Sequence, residues 1–153
     1  MIIEKAETKN ISELYKLQLL CFESEAEMIG SRKVPALMET EDFYAKDFCN
    51  RTTLKIVNNE QEIIGAIRYR DKNDIVEVGR IMIHPKYRRQ GLAKQLISKV
   101  DSEFSQKIKE LYTCTKSWTN IKLYTSMGYK SYKECQINTG LSAVYMRKGL
   151  EKI

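Results

Sequence analysis

Residues 81–96 read IMIHPKYRRQGLAKQL, and the organisation of the chain turns on them. The apolar run Ile81-Met82-Ile83 stops at His84-Pro85. Proline fixes its own φ and removes a backbone donor, so a central strand does not run on through it. Lys86-Tyr87-Arg88-Arg89-Gln90-Gly91 comes next, and then Leu92, Leu96, Ile97, Val100 and Phe104 recur at helical spacing. The order is strand, basic turn, helix. The first turn of a helix carries N–H groups with no partner inside the helix, and the macrodipole adds partial positive charge there. Gly91 has no side chain to keep an anion off the backbone. Ala93 keeps the next turn small, and Lys86, Arg88 and Arg89 add full charges. Together these make a seat for a phosphate. It is neither a GxxxxGK[ST] loop nor a GxGxxG fingerprint.

Outward from the junction, Ile75–Ile83 is predicted to be a strand, preceded by TTLKIVN and IIGAIRYR with the polar turns NNEQE and DKND between them. Short polar turns between β-rich runs imply antiparallel hairpins. A strand is expected over residues 1–7, and a helix from Asn10 or Ser12 to about Phe22, with Ile11, Leu14, Leu17 and Cys21 on one side. SEAEMIGSRKVPALME reads as loop plus broken helix. Thr40 opens a helix with acids in its first turn. Downstream, the helix from Gly91 is expected to reach about Ile108. LYTCT is a strand parallel to 75–83, because a helix joins the two. Ser117 or Thr119 caps a helix ending at Met127-Gly128, and GYKSYKECQ and LSAVYMRKG form a closing hairpin. The expectation is a single α+β domain over residues 1–153, a mixed sheet flanked by helices.

Bulk properties narrow the partners. With 42% apolar and 30% charged residues, the chain has the balance of a folded protein rather than a disordered one. No apolar run approaches the roughly 18 residues of a membrane span, and the charges in MIIEKAETKN come too early for a secretory signal. A cytoplasmic protein with no membrane partner is expected. Cys21, Cys49, Cys114 and Cys135 form no CxxC pair, and His84 is the single histidine. A metal site is therefore not expected, and the cysteines read as small buried hydrophobes. The net charge of +6 is compatible with nucleic acid, anionic lipid or a phosphorylated cofactor. No aromatic-basic platform for single strands accompanies it, so no nucleic-acid partner is expected. Five Lys or Arg and no acid lie between His84 and Val100, whereas seven acids and three basic residues lie between Glu23 and Asp47. Such asymmetry suits two ligands at two ends of one site, or two solvated faces.

Arg88-Arg89-Gln90-Gly91-Leu92-Ala93 resembles the pyrophosphate-binding signature [Q/R]-x-x-G-x-[G/A] of the GNAT (Gcn5-related) N-acetyltransferases, and the preceding strand and His-Pro turn resemble the family's approach to it. Asn120-Ile121-Lys122-Leu123-Tyr124-Thr125-Ser126-Met127-Gly128-Tyr129 is similar to a later segment of the same family. The resemblance spans nearly the whole chain in element order. It implies a V-shaped splay between two central parallel strands and acetyl-CoA, or a related acyl-CoA, as co-substrate. The backbone from Arg89 through Ala93 would hold the pyrophosphate, with Arg88, Arg89, Gln90, Gly91, Leu92 and Ala93 as binding residues. Ile81, Met82 and Ile83 would offer backbone bonds to the pantetheine arm and an oxyanion donor. Asn120 would contact the arm, and Tyr124 would protonate the leaving thiolate, phenol and thiol having similar pKa values.

Many family members carry a Glu two residues ahead of the apolar run, and Gly79 stands there in this chain. Glu77, placed by alternation on the face of Gly79 and Ile81, is the candidate base through a water. His84, or an amine arriving already neutral, are the other options. Trp118 reads as core. The implied activity is acetyl transfer to a primary amine by direct attack. The acids Glu23, Glu25, Glu27, Glu39, Glu41 and Asp42 suggest a small cationic acceptor, such as a polyamine or aminoglycoside. A peptide or protein amine is the alternative acceptor, and an acyl-CoA sensor without turnover is the alternative function. A monomer or a homodimer is expected.

Overall fold

The computed structural model describes residues 1–149. Seven strands form one mixed sheet: β1 (Ile2–Lys5), β2 (Thr52–Val57), β3 (Ile63–Asp71), β4 (Ile75–Ile83), β5 (Ile108–Cys114), β6 (Lys130–Asn138) and β7 (Leu141–Lys148). Their spatial order is β1-β2-β3-β4-β5-β7-β6. The β2–β3–β4 meander is antiparallel as its short polar turns imply, and so is the closing hairpin. The pair β4–β5 is parallel and is crossed by the helix α4 (Leu92–Glu103). Among the described residues four more α-helices flank the sheet: α1 (Ile11–Ile29), α2 (Pro35–Met38), α3 (Glu41–Phe48) and α5 (Trp118–Ser126).

Each face of the sheet buries its own cluster. Ile56, Ile64, Ile67, Val76 and Val78 pack with Leu96, Ile97 and Val100 of α4 on one side. Ile63, Ala66 and Met82 pack with Leu14, Leu17 and Cys21 of α1 and with Tyr44 and Phe48 of α3 on the other. At roughly 1.5–3 kcal/mol for each large apolar side chain buried, these clusters fix which helix lies on which face.

Several boundaries differ from expectation. Helix α1 runs on to Ile29, because SEAEMI keeps helical spacing with Ala26 and Ile29 buried, and Gly30 ends it in a left-handed conformation (φ 74°). Helix α4 stops at Glu103, and Ile108 already belongs to β5. Thr40 caps α3 as expected, its Oγ1 accepting from the Phe43 N–H at 3.1 Å. Trp118 is 64% exposed rather than core. Only Cys21 and Cys114 are buried, whereas Cys49 and Cys135 are exposed.

Two irregularities position the site. The parallel pairing of β4 with β5 covers only Ile75–Glu77 against Ile108–Glu110. Beyond that point both strands continue without pairing each other, and the sheet opens into a V. The second irregularity is a bulge: Ala66 pairs with Met82 but Arg68 with Gly79, so β4 carries one extra residue around Arg80 and Ile81. Arg80 takes a φ of 47° there, a conformation uncommon for a residue with a side chain. The bulge reverses the strand's alternation. Val78 and Ile81, an odd number of residues apart, both pack on the α4-side cluster. Ile81 therefore does not share the face of Glu77 and Gly79, as strict alternation had implied.

Candidate active site

The V leads into a cavity of about 190 Å³, lined by β4 from Glu77 to Ile81, by β5 from Glu110 to Cys114, and by Asn120 and Tyr124 of α5. Tyr124 is buried. Burial, and secondarily the Glu25 carboxylate, raise its phenol well above the ordinary tyrosine value. It is protonated throughout the neutral range, and in this environment phenol and thiol are no longer matched in acidity. Tyr124 can donate a hydrogen bond to a departing sulfur, while full proton transfer is harder than free pKa values suggest. The Asn120 Nδ2 donates to the Thr113 Oγ1 at 3.3 Å, tying α5 to β5.

The far end of β4 explains how the strand stays open. The His84 N–H donates to the Ile64 carbonyl at 2.8 Å. Antiparallel partners alternate between bonded and unbonded pairs, so the Met82 N–H turns toward β3 and the Ile83 N–H toward the open side. The Ile83 carbonyl, facing the same way, accepts from the Arg88 Nε at 3.2 Å. The rest of that guanidinium reaches α1, donating to the Ser24 Oγ at 2.8 Å and the Cys21 carbonyl at 3.1 Å. Arg88 thus stitches helix to strand through three protein acceptors. Arg89 (φ 65°) and Gly91 (φ 76°) both adopt left-handed backbone, curling the chain into the first turn of α4. A Cβ on Gly91 would meet nothing within 4 Å, so the backbone there is open to a bulky anion. The junction fits a pyrophosphate. His84 caps its own turn, Nδ1 accepting from the Lys86 N–H at 3.1 Å, and it does not line the cavity.

Helix α1 crosses the mouth of the V. Its Glu25 Oε1 accepts from the Ser117 Oγ at 2.6 Å on the β5 side, while Arg88 holds it on the β4 side. Burial and Glu25 push the Cys114 thiol up to about 11, and burial, partly offset by Arg88, does the same to Cys21. At the closed end, Glu77 faces Glu110 across the last parallel pair. Glu110 is held by the Arg147 Nε and the Tyr132 hydroxyl, each at 2.7 Å, whereas the nearest cation to Glu77 is Lys72 at 4.0 Å. Glu77 is thus the less engaged carboxylate, and it lines the same cavity as Tyr124. A Cβ on Gly79 would meet nothing within 4 Å, leaving free space beside it.

The acids expected to form a cationic-acceptor surface are dispersed. Among Glu23, Glu25, Glu27, Glu39, Glu41 and Asp42, only Glu25 lines the cavity. Glu23 pairs with Arg32 at the surface, and the side chain of Glu39 is 5% exposed beneath Arg80. The lining instead carries Arg51, Arg68 and Arg80. Periodicity gives no reason to single these out. The one signal in the sequence is that Arg68 and Arg80 each break an apolar stretch, Ile67 from Tyr69 and Val78-Gly79 from Ile81-Met82-Ile83.

The sequence matches the family described as "Acetyltransferase (GNAT) domain" over residues 15–150. A curated relative, the UPF0157 protein YqkA of Bacillus subtilis, is 26% identical over 132 residues, which is 84% of this chain but 37% of the relative's length. Among solved structures, the ribosomal-protein-S18-alanine N-acetyltransferase of Escherichia coli superposes with a TM-score of 0.78 at 17% identity, covering 99% of this chain and 96% of that one. YncA of Salmonella typhimurium, solved with its cofactor acetyl-CoA, gives 0.70 at 13% identity, covering 100% and 95%. At such identities the likeness establishes the fold. The parted parallel strands and the helix that follows β4 agree with that fold. The chain belongs to the GNAT acetyltransferase family, whose co-substrate is acetyl-CoA.

Proposed function

We propose that this chain transfers the acetyl group of acetyl-CoA to a primary amine by direct attack within a ternary complex. The observation that carries the reading is the V itself: β4 and β5 part beyond Glu77 and Glu110, with Tyr124 buried in the wall and the Gly91 turn at the end of β4. In this reading the pyrophosphate rests on the backbone of Arg89, Gln90, Gly91, Leu92 and Ala93. The pantetheine arm lies along the open edge of Ile81–Ile83, where the Ile83 N–H is free of β3, and Asn120 borders the arm.

The amine must be neutral to attack the thioester carbonyl. Its nitrogen forms a bond to carbon, the oxyanion is held by a strand N–H, and the C–S bond breaks as the Tyr124 hydroxyl donates to the sulfur. The amine's surplus proton leaves by way of a water to Glu77, the less engaged carboxylate in the cavity. No covalent enzyme intermediate is required.

The test is release of free thiol from acetyl-CoA against a panel of amines: amino acids, polyamines, aminoglycosides and short peptides. Acceptor-dependent release is expected, with kcat for Tyr124→Phe falling by about a hundredfold or more while acetyl-CoA affinity is kept. Tight acetyl-CoA binding with no release from any acceptor would point instead to an acyl-CoA sensor.

A further inference from the structure

Three arginines converge on the acceptor side of the cavity from different parts of the fold. Arg51 follows α3, Arg68 lies on β3 and Arg80 sits at the β4 bulge, and all three line the cavity. Arg68 and Gly79 are cross-strand partners, and the glycine opens space beside the arginine. Two carboxylates serve the three cations. The Asp47 Oδ2 accepts from the Arg51 Nε at 2.8 Å and lies 3.0 Å from the Arg68 Nη1. The Glu39 Oε2 meets the Arg80 Nη2 only at 3.5 Å, and Glu39 also accepts from the Gln18 Nε2. The Arg80 Nε is buried with no hydrogen-bond partner. The other cavity carboxylates, Glu25, Glu77 and Glu110, are turned to Ser117, Lys72 and Arg147. Around Arg51, Arg68 and Arg80 themselves the cations outnumber the carboxylates in contact with them, three to two, and an incompletely paired ion in a partly buried wall is costly. The charged form of Arg68 is disfavoured there by burial and then by Arg80, a strain that an anion would relieve.

We infer that this wall binds a carboxylate of the acceptor, so that the substrate is a small molecule bearing both a primary amine and a carboxylate, amino-acid-like rather than a polyamine. The inference rests on the acetyltransferase reading for the amine but on the arginines alone for the acid. It replaces the acidic acceptor surface suggested by residue counts. Arg80, beside the open position of Gly79 and with its Nη2 held only loosely at 3.5 Å by Glu39, is the residue that fixes the anion. A bidentate guanidinium–carboxylate pair supplies orientation as well as affinity, turning the amine toward the thioester.

Two measurements test it. In the first, matched pairs are compared as acceptors: lysine with cadaverine, ornithine with putrescine, alanine with alaninamide, and glucosamine 6-phosphate with glucosamine. In the first three pairs the carboxylate-bearing member is expected to have a KM lower by about tenfold or more, an advantage lost in Arg80→Gln while the KM for acetyl-CoA is unchanged. In the second, calorimetry compares N-acetyl amino acids with their primary amides, with and without CoA, on wild type, Arg80→Gln and the more exposed Arg51→Gln. This readout needs no turnover. Carboxylate binding that falls in both variants supports the assignment. Equal binding or turnover of carboxylates and their neutral partners overturns it while leaving the acetyltransferase reading intact. Preference for the phosphate alone overturns the carboxylate in favour of a phosphorylated amine. Loss of acetyl-CoA binding in wild type would count against the reading of the V and not against the arginine wall, which the calorimetry judges separately. Thermal melts of each variant separate lost binding from lost folding.

Discussion

The two ends of the cavity are built differently. On the side proposed for the donor the parts are backbone: an unpaired strand edge, left-handed residues at Arg89 and Gly91, and the first turn of α4. On the acceptor side they are side chains, Arg51, Arg68 and Arg80, brought from three elements and buttressed by Asp47 and Glu39. Backbone geometry tolerates wide sequence change so long as a few residues permit it, and in the proposed reading it would meet what every acetyl-CoA presents. Side chains discriminate and can be exchanged one at a time. A fold made this way can keep its donor while its acceptor changes.

Substitutions can break or sharpen that contrast. The largest effect is expected from Gly91→Asp. Asp tolerates left-handed φ better than most residues, and the space around this Cβ is open, so the fold should survive. A carboxylate set into the anion seat should weaken acetyl-CoA binding by about tenfold to a hundredfold. Calorimetric titration of acetyl-CoA reads the effect, and an unchanged Kd would mean that the pyrophosphate does not rest there. A smaller effect is expected from Glu77→Gln: kcat/KM down by about tenfold, with the acid limb of the pH profile flattened if this carboxylate takes the amine's proton. A wild-type profile in the variant would indicate that the amine arrives neutral and needs no base. The mildest test disturbs nothing. Native protein treated with a thiol reagent at pH 8 should label Cys49 and Cys135 quickly. Cys21 and Cys114, buried and with thiols raised to about 11, should lag. Rapid labelling of Cys114 would show that the cavity wall opens far more than its packing suggests.

What could be read from the sequence follows the same division. The strand-turn-helix junction declares itself through Pro85, Gly91 and the spacing of Leu92, Leu96 and Val100, because each is a local demand of the backbone. The antiparallel meander announces itself in the same way, through polar turns between β-rich runs. Periodicity failed where a tertiary event reset it. The bulge at Arg80 reverses the strand's faces and moves Ile81 away from Glu77. The continuation of α1 to Ile29 depends on Ala26 and Ile29 finding burial, which a run of glutamates conceals. Charge counting did not find the charges of the cavity, since of the acids adjacent in sequence only Glu25 lines it while Arg51, Arg68 and Arg80 converge on it from separate segments. Likewise the Tyr124 role read from matched acidities met a buried phenol whose pKa lies well above that of a thiol.

Helix α1 has one more consequence, in time rather than in space. It precedes its partners in the chain: its Ser24 waits for Arg88, 64 residues on, and its Glu25 for Ser117, 92 residues on. Closing loops of that length is slow, so the local hairpins of the meander should be in place before the helix is secured across the parted strands. A chain halted before residue 117 would hold most of the sheet's central meander and none of the completed cavity. The cavity is among the last features that folding supplies, and a truncated chain should lose any activity the cavity carries well before it is unfolded.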